Sequence, residues 1–402
     1  MTAPRTRRRF LGEAAAGTAA LALPSVSFAA APTDRRLVVM LMRGGLDGLA
    51  LVAPHADEAY AATRGELALP PPGDTSGVLD LDGFFGLHPA ALELHDMWQG
   101  GQLAFVQAVA TPYRKRRHME AQAVLENGTA APTSMQTGWL NRTLTALGAK
   151  PDEAVALGRS LPPILRGKAP SQVWGPPALP RPVAGFFVKM GLLYAEDPLL
   201  GPVLQRGQDA RRLADRLLGV DDLKADRGAP RPDAVVAAAR LVADQLAADA
   251  GARIAVIETS GWDTHANQGT VEGALARRLR GLNDSLETLA AGLAPVWDKT
   301  VVIGVSEFGR TAIVNGTGGT DHGTGGLAIL AGGPVLGGRV HGEWPGLAPG
   351  ALRDGRDLAP TTDLRAILKA VLGRHLGLDR RTLDGTVFPD SGKVAPMEDL
   401  LL

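Results

Sequence analysis

The sequence predicts an α/β fold with a mainly parallel central sheet. Two short apolar runs with β-branched residues, 254–259 and 300–305, are typical of buried strands. Between them, leucines recur at spacings of three and four over 275–296, which is the pattern of one apolar helix face. A strand, a helix and a strand joined by a crossover of this length form a parallel, right-handed unit.

Further strands and helices are predicted on both sides of this unit. Apolar runs and helical periodicity place them at 36–42, 103–109, 327–331, 91–98, 114–122, 232–250 and 363–376. Between 132 and 230, proline-rich pieces alternate with short helical patterns such as 209–218. We interpret 132–230 as an insertion or cap over the sheet, within a single domain that spans 34–402.

Composition and charge exclude several classes of protein. Of the 402 residues, 45% are hydrophobic and 21% charged, as in ordinary globular domains. Lys and Arg together number 42, as do Asp and Glu, so net charge gives no support for nucleic-acid binding. The chain has no cysteine, so any metal site uses oxygen and imidazole ligands. Such ligands suit Zn, Mg, Ca, Mn or Fe.

The first 29 residues are typical of a twin-arginine signal peptide. An arginine-rich run at 6–11 precedes an Ala/Leu-rich stretch at 14–23, and Ser27 and Ala29 are small residues suited to a cleavage site. We therefore expect the twin-arginine translocase to export the folded protein to the periplasm or beyond. The remaining chain has no apolar run of about 18 residues, so no transmembrane segment is expected in the mature protein.

Polar side chains follow the predicted strands. In open parallel sheets, ligands bind just beyond the carboxyl ends of the strands, so these side chains are expected at one rim. Carboxylates and imidazoles that converge in loops favour a divalent cation such as Zn, Mg, Ca or Mn. The candidate metal ligands are Asp47, Asp263, His265, Glu307, Asp321 and His322.

Each candidate also has a simpler explanation. Asp47 lies in a Gly-Gly and Asp-Gly turn sequence, where an aspartate often caps the following helix, and we give the two alternatives equal weight. Arg114, His118 and Gln122 would share one helix face, which is usually solvated, although anion capture is the alternative. The glycine-rich run 316–326 lacks the ending of a phosphate loop and precedes a strand, and the chain has no G-x-S-x-G element.

A set of motifs covers nearly the whole chain after residue 29. They are Arg43-Gly-Gly-x-Asp-Gly48, His118-x-Glu-Ala-Gln122, Gly138-Trp-Leu140, Gly261-Trp-Asp-Thr-His265, Ser306-Glu-Phe-Gly-Arg-Thr311, Thr320-Asp-His-Gly323, Gly337-Gly-Arg-Val-His-Gly-Glu-Trp-Pro345 and Val387-Phe-Pro389. Together they resemble the exported bacterial family known as domain of unknown function 1501. The resemblance implies the alkaline phosphatase–sulfatase superfamily, an α/β/α sandwich and a rim that binds one or two metals.

The resemblance also implies roles for single residues. Asp47 matches the aspartate ligand after the first strand, and Asp263 and His265 match a later aspartate–histidine pair. Ser306-Glu-Phe-Gly309 stands where the superfamily has Ser-Asp-His-Gly, which places Phe308 at the position of a histidine ligand. The final histidine ligand corresponds to His322 or His341.

The superfamily nucleophile is a Ser, a Thr or a modified Cys at a helix start, and Thr111 is the candidate here. Relatives often carry Ser where this chain has Arg117. The resulting hypothesis is a metal-dependent hydrolase of phosphate, sulfate or similar small anionic esters, with Thr111, His118 and Arg310 as candidate catalytic residues. Arg310 and the run 114–117 would hold the anion. The alternative is a non-catalytic periplasmic binding or assembly protein that keeps the fold.

Overall fold

The computed structural model describes residues 25–29, 31–149, 154–157, 161–169, 172–174, 190–191, 193–194, 197, 233–249 and 252–402. Its fold is mixed α/β with a central, mostly parallel sheet. The strands are β1 (Ser25–Ala29), β2 (Arg36–Met42), β3 (Val52–Ala53), β4 (Leu79–Asp80), β5 (Gly86–Leu87), β6 (Leu103–Ala110), β7 (Ala154–Leu157), β8 (Gln172–Trp174), β9 (Ile254–Thr259), β10 (Thr300–Val305), β11 (Gly326–Ala331), β12 (Arg339–His341) and β13 (Thr362–Asp363). The α-helices are α1 (Gly48–Leu51), α2 (Tyr60–Arg64), α3 (Leu92–Gln99), α4 (His118–Asn127), α5 (Trp139–Ala146), α6 (Asp233–Ala247), α7 (Ala274–Gly292), α8 (Leu364–Arg374) and α9 (Arg380–Thr382).

The central sheet has ten strands in the order β12-β6-β11-β10-β2-β9-β1-β7-β8, with β13 beside β6. Strand β2 is the middle of three parallel strands, because β10 pairs with one edge and β9 with the other. Strands β1 and β11 run antiparallel to both of their neighbours. The predicted parallel orientation of β9 and β10 is therefore confirmed. The two strands do not pair with each other, because β2 lies between them.

Both faces of the sheet are covered, which explains why its strands are continuous apolar runs. Alternate residues of β2 enter two separate cores, and Val38 and Met40 belong to one while Leu37 and Val39 belong to the other. Helices α3, α6 and α7 contribute to the first core, and α5 and α8 to the second. Because β2, β9 and β10 are parallel, their carboxyl ends lie at one rim of the sheet.

The predicted helices at 91–98, 232–250, 275–296 and 363–376 are confirmed as α3, α6, α7 and α8, with ends shifted by a few residues. Asp363 is the N-cap of α8, and its side chain accepts a hydrogen bond from the backbone of Arg365. The helix predicted over 114–122 requires a correction, because α4 begins only at His118. Arg116 has a φ of 56°, a left-handed conformation that a continuous helix does not allow.

Parts of the predicted signal peptide and of the predicted insertion belong to the central sheet. Strand β1, which ends at the predicted cleavage residue Ala29, lies between β9 and β7, and Ala29 is buried. Within the predicted insertion 132–230, α5 packs into the second core and β7 and β8 extend the sheet. The predicted arginine run 6–11, apolar stretch 14–23 and helix 209–218 lie outside the described residues.

Among the described helices, none combines the length and apolarity needed to span a membrane.

Candidate metal centre

Asp263, in the loop after β9, lies at the centre of the rim. Its Oδ1 atom is 2.9 Å from Nε2 of His265 and 3.1 Å from Nε2 of His322. Its Oδ2 atom is 3.3 Å from Nε2 of His118, the first residue of α4. One ligand atom from each of His118, Asp263 and His322 lies within 4.8 Å of the other two. Three imidazoles therefore converge on one carboxylate.

The rings of His265 and His322 both use Nδ1 as a hydrogen-bond donor. Nδ1 of His265 lies 3.0 Å from Oδ1 of Asp321, and Nδ1 of His322 lies 3.1 Å from the backbone carbonyl oxygen of Arg116. A carboxylate and a carbonyl are acceptors, so this network assigns the proton of each neutral ring to Nδ1. In two neutral rings each Nε2 would carry a lone pair, yet the two Nε2 atoms lie 3.0 Å apart and both face Oδ1 of Asp263. Such an arrangement needs a shared cation, either a metal ion or a proton.

His118 is held between two carboxylates. Its Nδ1 lies 2.8 Å from Oε1 of Glu307, while Nε2 faces Asp263. Hydrogen bonds to Asp263 and then to Glu307 raise the pKa of His118 to about 9, although burial acts in the opposite direction. With protons as the only cations, His118 is therefore an imidazolium at neutral pH.

Glu307, predicted as a metal ligand, is buried, and its carboxylate contacts Nδ1 of His118 instead of Oδ1 of Asp263, which the Nε2 atoms of His265 and His322 face. Oε1 accepts hydrogen bonds from His118, from the backbone of Gly44 at 2.9 Å and from Gln122 at 3.0 Å. Oε2 accepts one from the Ser306 hydroxyl at 3.1 Å. Burial raises the pKa of Glu307, but the hydrogen bonds, that of His118 first, outweigh it and lower the pKa overall. Glu307 is thus an ionised partner of His118.

Arg310, predicted to hold a substrate anion, is buried and fully engaged by the protein. Its guanidinium donates to Oδ1 of Asp263, to the Gly44 carbonyl and to both oxygens of Thr320. Burial raises the pKa of Asp263, but hydrogen bonds from His118, His322 and Arg310 lower it far below its usual range. Arg310 therefore fixes the central carboxylate and keeps it ionised.

Asp321 supports His265. Its Oδ1 atom accepts from His265 and, at 3.1 Å, from the side-chain amide of Asn315. The same amide donates to the backbone carbonyl of His265 at 2.8 Å, so Asn315 fixes both residues. Asn315 was not predicted from the sequence, because an asparagine in a glycine-rich loop is ordinarily a turn residue.

Asp47, the remaining predicted ligand, lies apart from the cluster in the protein interior. It caps α1, accepts a hydrogen bond from Gln268 at 2.7 Å and forms an ion pair with Arg64 at 2.6 Å. Both of its oxygens are occupied, and the side chains of Asp47 and Arg64 are almost completely buried. Asp47 is therefore a helix cap, one of the two alternatives considered for it. Its partners Arg64 and Gln268 were not predicted from the sequence.

Thr111, the candidate nucleophile, has a buried hydroxyl without a hydrogen-bond partner among the described residues. It lines a small cavity together with Ser306, Phe308 and Leu364. The ring of Phe308 packs against His118 and His322, with centroid distances of 4.9 Å to each. Phe308 therefore lies against the imidazoles, while Thr111 belongs to the cavity that this ring lines.

The basic run 114–117 is divided in its contacts. Arg116 forms ion pairs with Asp357 at 2.6 Å and with Asp354 at 3.1 Å. Lys115 and Arg117 are exposed, and the side chain of Arg117 is 71% exposed. These two exposed cations lie three residues and one residue before His118.

A family model described as "Protein of unknown function (DUF1501)" matches residues 202–387. The match supports the resemblance to the DUF1501 family that the sequence motifs indicate. The matched range contains Asp263, His265, Glu307 and His322, whereas His118 precedes it. The description of DUF1501 assigns no activity, so the function of the cluster has to be argued from its geometry.

No curated protein matches the chain. Among solved structures, the chain is similar to one titled "Crystal structure of Ps i-CgsB in complex with k-i-k-neocarrahexaose". The identity is 9% and the TM-score 0.42, with 89% of this chain and 76% of that chain covered. A likeness at this score carries no argument about the fold or the function of the present chain.

Proposed function

We propose that the protein is a metal-dependent hydrolase of phosphate, sulfate or similar anionic esters. The observation that carries this proposal is the pair of Nε2 atoms of His265 and His322, which face each other at 3.0 Å beside Oδ1 of Asp263. Both Nδ1 atoms face acceptors, so in the neutral rings the two Nε2 lone pairs point at the same space. A divalent cation satisfies two imidazoles and a carboxylate at once.

The donor set fits such an ion. Ligand atoms that share a tetrahedral ion at metal–nitrogen distances of about 2.0–2.1 Å lie roughly 3.3 Å apart. The distances of 2.9 to 3.1 Å among Asp263, His265 and His322 are close to this value. Imidazole donors favour Zn over Mg and Ca within the expected group of metals. When bound, the ion supplies a Lewis acid that polarises an ester oxygen or activates water.

The protein fixes these ligands and leaves one side of them open. Arg310 fixes Asp263, and Asp321 fixes His265. The side chains of Asp263 and His265 are 36% and 44% exposed, so a substrate can reach them from solvent. Preorganised ligands with an accessible side are what a catalytic metal site requires, in contrast to a closed structural site.

An anionic substrate would approach past the exposed side chains of Lys115 and Arg117. These residues lie three residues and one residue before His118, and among the described residues neither is paired with a buried carboxylate, in contrast to Arg116. Their positive charge favours encounter with a phosphate or sulfate group. The proposal includes the relationship to the alkaline phosphatase–sulfatase superfamily and twin-arginine export that the sequence motifs indicate.

The test is turnover of aryl phosphate and aryl sulfate esters by the purified chain loaded with Zn²⁺ or Mn²⁺. We expect His265→Ala to abolish turnover, whereas His95→Ala, which removes a histidine bonded to the Asp80 carbonyl, leaves it unchanged. Stoichiometric metal without turnover of either ester class would favour the non-catalytic binding or assembly protein. Absence of stoichiometric metal from the parent chain would overturn the proposal.

A further inference from the structure

Phe308 lies in the segment that directly follows β10. Its ring is buried, and it packs against His118 and His322 rather than offering a ligand atom. The rim therefore lacks an imidazole at the strand end.

Helix α4 brings an imidazole to the same place from a different part of the chain. The ring of His118 lies over Phe308, and its Nε2 approaches Oδ2 of Asp263 at 3.3 Å. The centroids of the His118 and His322 rings are 4.3 Å apart, and both rings belong to the group of ligand atoms around Asp263. His118 thus adds a third imidazole to the donor set of Asp263, His265 and His322.

Glu307 is placed to orient His118 and not to bind the ion. Hydrogen bonds from His118, Gly44, Gln122 and Ser306 occupy its two oxygens. These donors hold the carboxylate still, and their number leaves little capacity for a metal. Histidine ligands commonly donate their second ring N–H to such a carboxylate, which fixes the tautomer and the ring orientation.

We infer that His118 is a metal ligand supplied by α4, and that Glu307 is its positioning residue, which holds the proton on Nδ1 and directs Nε2 at the space beside Asp263. This inference rests on the metal centre proposed above. Glu307, which was predicted as a ligand, then serves to position a ligand. The histidine that it positions lies 189 residues earlier in the chain.

Glu307→Gln keeps the size of the side chain and tests this role. A glutamine amide can turn its NH₂ group towards Nδ1 of His118, which would move the ring proton to Nε2 and block the lone pair. Glu120→Gln is the matched control, because Glu120 lies on the same helix, is partly exposed and pairs with Arg117 at 3.6 Å. The control removes the same charge close to His118 without touching its ring nitrogens.

The experiment is a Zn²⁺ titration of the full-length, metal-free chain and its variants, with ¹⁵N spectra of the zinc-loaded histidines. We expect Glu307→Gln to weaken zinc binding by about 10- to 100-fold and to remove the Nδ1–H signal of His118, while Glu120→Gln behaves as the parent. His118→Ala should weaken binding at least as much. Thermal unfolding of each variant shows that it is folded.

Two outcomes overturn the inference in different ways. If the parent binds zinc but Glu307→Gln or His118→Ala binds it equally well, the assignment of His118 and Glu307 is wrong while the metal centre stands. If the parent binds no zinc, the proposed metal centre fails together with the inference. Loss of esterase turnover alone decides neither question, because the measured quantity is zinc affinity.

Discussion

Arg310 lies completely buried against Asp263, whose side chain is 36% exposed. The buried guanidinium therefore serves as the fixed support of a carboxylate that reaches solvent. A cation in this position does two things, since it neutralises part of the acid cluster and prevents Asp263 from rotating. Arg310, predicted from the sequence to bind a substrate anion, instead binds Asp263 and forms part of the structure of the site.

Replacement of Arg310 should therefore destabilise the fold. Arg310→Ala leaves the carbonyls of Gly44 and Thr320 without their donor and removes the partner of Asp263. We expect a loss of about 2–3 kcal/mol in the free energy of unfolding, below the range for a fully buried pair because Asp263 is partly exposed. Urea unfolding of Arg310→Ala beside Arg117→Ala measures this, and equal stability of the two variants would contradict the buried role.

Asp47→Asn should reduce stability without altering metal binding. The substitution leaves the buried Arg64 without its ion-pair partner, which costs about 3–5 kcal/mol. Metal content and zinc affinity should remain those of the parent, because Asp47 binds Arg64 and Gln268 in the interior. Elemental analysis with urea unfolding separates the two effects, and lost metal in a folded variant would make Asp47 a ligand.

Asp321→Asn should weaken the metal centre through His265. The amide can no longer act as an ionised acceptor for Nδ1 of His265, so this ring is held less firmly. We expect zinc affinity to fall about 10- to 100-fold with little change in stability, since the Asp321 side chain is 47% exposed. The comparison variant is Asp354→Asn, another partly exposed aspartate, and an equal effect of both would argue against a specific role.

The metal-free protein should lose stability as pH rises through the alkaline range. The pKa of His118 is raised from 6.5 to about 9 in the fold, so the folded state binds its proton more tightly than the unfolded state does. This contribution is complete below pH 6.5 and disappears as pH rises towards about 9. Urea midpoints measured across this window should fall for the parent, and His118→Gln should remove that part of the dependence.

The N-terminal strand should matter to the fold. Val26 and Phe28 of β1 are buried, and β1 bonds to β9 on one edge and to β7 on the other. A chain that starts at residue 25 should therefore be more stable than one that starts at residue 30. Burial of side chains of this size contributes about 1.5–3 kcal/mol each, so unfolding midpoints resolve the difference. Equal midpoints would show that β1 is dispensable.

The framework was predictable because its signals are local. Strands β2, β9 and β10 are covered on both faces, so each appears as an uninterrupted apolar run. The rule that ligands lie beyond the ends of parallel strands placed Asp263 and His265 after β9, and the structure has His322 close to both.

The division of roles within the rim was not predictable, because it depends on partners far apart in the chain. Asp47 looked like Asp263 in sequence, since both follow a strand, but Arg64 and Gln268 enclose the former. Glu307 looked like a ligand until the structure placed His118 over it. The φ of Arg116, which delays α4 and turns its carbonyl to His322, has no sequence signal in an arginine-rich run.

The central position of β2 has a consequence for how the chain folds during synthesis. Strand β2 is made early, yet its two neighbours are Ile254–Thr259 and Thr300–Val305, which emerge more than two hundred residues later. Until then its seven buried residues have no sheet to join. Contacts so distant in sequence slow folding and prolong the exposure of an apolar segment. The nascent chain should therefore depend on chaperones that shield this segment until β10 has been synthesised.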